Sequence, residues 1–135
     1  MNRIRPFLAV LARIFLVAIF LVNGLGIVDP SFAAHEMVAR GIPAHLASLF
    51  VLAGRAVQIV AGLALALGRY RIVSAVALIL FLIPATLIAH SFWTAPSQFF
   101  QVQLVNFLKN LSMIGGLLFI ASMSSETYKA PAAIG

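Results

Sequence analysis

Four apolar runs separated by short polar gaps constrain this chain most: Phe7 to Val28, Ala44 to Leu67, Ile72 to Phe92 and Val102 to Met123. Each reaches the roughly 20 residues that an α-helix needs to cross a hydrocarbon core of about 30 Å. A water-soluble helix alternates apolar and solvated faces, whereas these runs are apolar all round. Composition agrees, with 63% hydrophobic and 9% charged residues against about 25% charged in soluble domains. The predicted fold is all-α: a transmembrane four-helix bundle, forming one domain over residues 1–135.

Lysine and arginine in short loops report sidedness. If the helices cross in alternation, Arg3, Arg5, Arg69, Arg71 and Lys129 share one side, and Arg40 stands alone on the other. Both termini are therefore expected in the cytoplasm. The net charge of +6 is scattered along the chain; nucleic-acid binding needs basic residues gathered on one face, so no nucleic-acid partner is expected. The absence of cysteine removes disulfides, thiolate metal sites and iron–sulfur ligation by this chain.

Basic residues, an apolar stretch and the small residues near Ser31-Phe32-Ala33-Ala34 also resemble a cleavable secretory signal. Such signals have apolar cores of about 7–15 residues; the first run is longer and contains Arg13, which favours a span. Between the first two runs, Ser31 is placed to cap a short surface helix and Gly41 to end it, with Phe32 and Met37 toward the lipid boundary; an ordered linker is the other reading. Gly54, Gln58 and Gly62 recur at four-residue spacing, a pattern that lets helix backbones approach closely in lipid. Gly115-Gly116 invites the same reading. Pro84, with Thr86 two residues later, predicts a kink, and Trp93 stands at the height of an aromatic belt.

Ionisable groups at membrane depth are costly and usually face the bundle interior. At 1.5 Å per residue, Arg13 lies about 10 Å inside its run, Arg55 about 16 Å and Lys109 about 10 Å. None of the four runs contains Asp or Glu. The cations must therefore find backbone carbonyls, amides, lipid phosphates or a carbonyl-bearing or anionic ligand. Snorkelling toward an interface suits Arg13 and Lys109; a bundle-facing role beside Gln58 suits Arg55. His90, Asn106, Lys109 and Asn110, from the facing ends of the last two runs, form the main candidate site, with Trp93 as an apolar wall. They have the chemistry to polarise a quinone carbonyl or hold an anionic headgroup, or else to clamp one helix to the other. The three histidines do not make a compact zinc site, and no metal is expected. Phosphate loops, nucleophile elbows and paired catalytic acids are all missing from the sequence.

Several segments resemble the DoxX family. They are Ala12-Arg13-Ile14, Asn23-Gly24, Gly41-Ile42-Pro43, Gly62 through Gly68 with Arg71 and Ala75, and His90-Ser91-Phe92-Trp93. The most specific is Asn106-Phe107-Leu108-Lys109-Asn110-Leu111 running into Gly115-Gly116-Leu117-Leu118. The resemblance implies a small multi-pass protein of the bacterial inner membrane. It also implies a subunit or accessory of a quinone-linked oxidoreductase or oxidative-stress system, with membrane lipids, a redox protein or further copies of the chain as partners. Relatives often carry Glu where Gln58 stands and Lys near Gly26. A non-enzymatic scaffold or lipid-binding module is the alternative, and a small transporter a weaker one.

Overall fold

The computed structural model of the chain describes residues 4–123. Five α-helices, α1 (Ile4–Gly24), α2 (Ser31–Ala39), α3 (Ala44–Ala66), α4 (Arg71–Ala89) and α5 (Ser97–Met123), are joined by short connections, with a 3₁₀ turn at Phe92–Thr94 before α5. The described residues hold four helices long and apolar enough to span a bilayer, so the all-α, four-span expectation holds. Their bounds differ most from the apolar runs at two places. Although the first run continues to Val28, the helix stops at Gly24, and Leu25, Ile27 and Val28 leave it exposed. The last helix starts at Ser97, five residues before its apolar run. Arg3 and Lys129, used for the sidedness expectation, lie outside the described residues.

The spans pack in chain order, α1 on α3, α3 on α4 and α4 on α5, whereas α1 and α5 barely touch. The bundle is therefore an open sequence of three helix pairs with a seam between its first and last members. Val17 and Phe20 of α1, Ala61 and Leu65 of α3, Ala75, Leu78 and Leu82 of α4, and Leu117 of α5 form the core. With Val17 and Phe20 each 1% exposed, α1 is an integral wall of the bundle. Most other large apolar side chains face outward, Phe7, Phe15, Leu52, Leu80 and Phe119 among them. That pattern fits lipid as the surrounding solvent and would expose large apolar patches in water.

Close helix approach depends on glycine, but not along one face. A Cβ on Gly62 would lie 3.0 Å from Leu21 of α1, and one on Gly54 would lie 2.8 Å from the Phe81 ring of α4. The four-residue stripe on α3 thus serves two neighbours. At the tandem glycines of α5, only Gly116 meets another helix, at Leu16, and Gly115 faces open space. Helix α4 continues through Pro84 without interruption.

The surface helix exists, with its start built differently from expectation. Asp29, rather than Ser31, supplies the cap: its carboxylate accepts from the Ser31 N–H at 2.9 Å and the Ser31 hydroxyl at 2.7 Å. Gly41 ends α2 as predicted, in the left-handed conformation with φ 87°. Phe32 and Met37 line a cavity beneath α2.

Candidate functional site: a cavity between the first and last spans

Helix α1 stops against the middle of α3: Gly24 lies opposite Arg55, Gln58 and Ile59. The Gly26 N–H bonds to the Asn23 carbonyl and the Ile27 N–H to the Val22 carbonyl, with Gly26 at φ 76°. This paired closure satisfies two helix-end carbonyls. It leaves the Gly24 carbonyl at membrane depth, where an unpartnered polar group is costly. Arg55 answers it, its Nε donating to the Gly24 oxygen at 2.9 Å. A Cβ on Gly26 would come within 2.8 Å of the Arg55 guanidinium, which would have to shift, and φ 76° itself favours glycine there. The negative end of α1 and its carbonyl thus take the place of a carboxylate partner.

Because α1 ends early, the space above it is roofed by Val28, Asp29, Pro30 and α2. The result is a cavity of about 850 Å³. Phe20, Phe50, Phe81, Leu82 and Met113 give it apolar walls, and Asn23, Arg55, Gln58, His90, Asn106, Lys109 and Asn110 bring polar groups to it. Its flanks are α1 and α5, the two spans that scarcely pack together. Asp29 also lines it. The Ser31 N–H and hydroxyl hold that carboxyl below its ordinary value, with the field of His35 adding to the effect.

Five of the predicted site residues line the cavity together with Arg55. His90 and Asn110 reach the cavity and are also engaged in clamps between α4 and α5. His90 Nδ1 lies 2.9 Å from Gln103 Oε1, and Asn110 Nδ2 donates to Thr86 Oγ1 at 2.9 Å. The Thr86 hydroxyl in turn donates to the Leu82 carbonyl one turn back, at 2.6 Å. Lys109 and Asn106 line the cavity and have neither hydrogen bond nor ion pair among the described residues; Lys109 is exposed. Gln58 is 4% exposed, its Nε2 donates to the Gly54 carbonyl at 3.3 Å, and its Oε1 has no partner.

Two expected members stand elsewhere. Trp93 makes edge contacts with Phe92 and Phe107, at ring separations of 5.1 and 6.0 Å, and does not wall the cavity. Arg13 leans toward the N-terminus of its helix, as helical side chains do, and packs on Gly68 in the α3–α4 turn. Its Nε is buried without a partner.

Four contributors were not singled out from sequence. Gln103 is on the same stripe as Asn106 and Asn110, at i, i+3 and i+7, a spacing that would have found it. Asn23 closes α1 and lines the cavity. Arg40 Nη2 donates to the Ile88 carbonyl and the Ser91 hydroxyl, each at 2.6 Å, tying α2 to the end of α4. Asp29 was hidden because its role depends on the loop geometry that its own carboxylate helps to set. Among the described residues, no group of three His, Cys, Asp or Glu side chains is placed to hold a metal.

None of the curated proteins and none of the solved structures compared matches the chain. A family model described as DoxX matches residues 8–91, from α1 through the end of α4. The Asn106–Leu118 segment, the most specific part of the sequence resemblance, lies beyond that range. The match spans more than half of a chain with four apolar spanning helices, and the protein belongs to the DoxX family.

Proposed function

We propose that this protein is an accessory membrane subunit of a quinone-linked redox system in the bacterial inner membrane, with both termini cytoplasmic, and that its cavity binds the ring head of a quinone. One observation carries this reading: Lys109 and Asn106 stand unpartnered beside an apolar space of about 850 Å³, a size within the usual range for small-molecule sites. Both groups can donate to a ring carbonyl, while Phe20, Phe50 and Phe81 supply apolar surface. The seam between α1 and α5 offers a lipid-soluble molecule a lateral way in without crossing water. Electrons would pass to or from a partner protein.

The test is binding of a decyl-chain benzoquinone to the full-length protein in detergent, with empty micelles as the control. Lys109→Ala is expected to weaken binding about tenfold, the scale of one charged hydrogen bond. Arg13→Ala, remote from the cavity, should leave it unchanged. Absence of binding, or equal affinity of the Lys109→Ala and unaltered proteins, would sink the reading and favour a lipid-binding scaffold. The clamps His90–Gln103 and Asn110–Thr86 are what such a scaffold also needs, so His90→Ala is expected to lower thermal stability.

A further inference from the structure

We infer that the cavity prefers the reduced, hydroxyl-bearing form of its ring-headed ligand, because Gln58 presents a buried acceptor that a quinol can satisfy and a quinone cannot. This rests on the quinone reading of the same cavity. Gln58 is buried to 4% exposure on a cavity-lining stretch of α3, one turn after Arg55. Its amide orientation follows from its partner: the Gly54 carbonyl can only accept, so the amide nitrogen faces it and Oε1 points the other way. Oε1 has no hydrogen-bond donor among the described residues. Arg55 Nε is spent on the Gly24 carbonyl and Asn110 Nδ2 donates to Thr86, and no other donor of the described residues reaches Oε1. A buried acceptor left unpaired is the costly case, and a native structure seldom keeps one without a reason.

The missing component is a donor. Quinone oxygens only accept, so they suit Lys109 and leave Gln58 Oε1 unpaired. Quinol hydroxyls donate and accept, so one ring can serve the cation and the amide oxygen together. Oε1 is recessed in the wall, and the Gly54 contact at 3.3 Å is long for a hydrogen bond. The last torsion of a glutamine is broad, so a small rotation turns the oxygen toward the cavity.

The experiment compares the decyl-chain benzoquinone with its chemically reduced quinol, anaerobically, on the full-length protein in detergent. The quinol is expected to bind about tenfold tighter, the scale of one hydrogen bond to a buried group. In a potentiometric titration the bound couple should then lie about 30 mV above the free one, since tenfold corresponds to that shift for two electrons. Gln58→Met, similar in length and without the acceptor, should lose the preference and bind the two forms alike. The unaltered protein can overturn the inference even if the variant does not fold. Equal affinity for both forms, as when water alone satisfies Oε1, overturns this inference and leaves the quinone site standing. A preference that survives in a folded Gln58→Met overturns it too, and failure of both forms to bind removes the function and the inference together.

Discussion

Arg55 sits in the middle of an apolar helix with no carboxylate within 4 Å, the single ion pair among the described residues being Arg40 with Glu36. Insertion of an arginine at mid-membrane costs about 2.5–3.5 kcal/mol. A charged hydrogen bond returns about 1.5–3 kcal/mol, and a partly buried helix C-terminus adds up to about 2 kcal/mol. The helix end is therefore a sufficient partner. Replacing Arg55 with Met strands the Gly24 carbonyl, and thermal unfolding in detergent should show a loss of about 1–3 kcal/mol; an unchanged melting profile would refute the cap. Glycines give a sharper contrast. Gly68 has φ 71°, and a Cβ there would meet the Arg13 guanidinium at 3.3 Å, so Gly68→Ala should cost at least about 1–2 kcal/mol. Gly115 is mid-helix with nothing within 4 Å, so Gly115→Ala should stabilise by about 0.5–1 kcal/mol. The opposite signs are read in a single series of melting curves.

Among the elements, α2 depends most on its ends. It buries no residue of its own, so burial contributes little to holding it against α3 and α4. Arg40 tethers its C-terminal end and Asp29 organises its start. Arg40→Ala should raise amide exchange across residues 31–42 while α3 and α4 keep their protection; uniform protection in both proteins would count against the tether. The Asp29 carboxyl titrates below its ordinary 3.8 because the Ser31 donors favour the charged form. Its contribution to the helix start is thus fully present above that ordinary value and lost as pH falls through the lowered one. After correction for intrinsic exchange rates, α2 should open as the pH falls below 3.8, and Asp29→Asn should reduce that dependence.

At the scale of the whole molecule, the register of α1 makes the cavity. Because α1 ends against the middle of α3, a loop and a short helix cover space that a full-length span would fill with side chains. Filling that space should therefore cost ligand binding more than stability. Ala85→Phe, on the α4 wall of the cavity, is expected to abolish benzoquinone binding while shifting the melting temperature only slightly. Retained affinity would place the ligand elsewhere. Leu16 against Gly116 is the point where the seam does close, and the core around Leu117 and Val17 anchors both helices there.

Long apolar runs determined the number of spans, the all-α class and the outward-facing apolar surface, because in lipid every backbone polar group must be satisfied within its own segment. The position of Gly41 likewise marked a helix end, since a left-handed residue without a Cβ is a local requirement. Asn106, Lys109 and Asn110 were legible as one end of one helix. Which of them is engaged and which is free was decided by the partners, Thr86 for Asn110 and none among the described residues for Lys109. Nor did the apolar run distinguish helix from loop at Leu25–Val28, where hydropathy is continuous while the backbone turns. Arg55 as a cap, Trp93 outside the cavity and Arg13 on the far turn all depend on how far one helix slides along another. That sliding is set by side-chain packing between distant residues, such as Leu21 against Gly62 and Phe81 against Gly54, and so belongs to the tertiary structure alone.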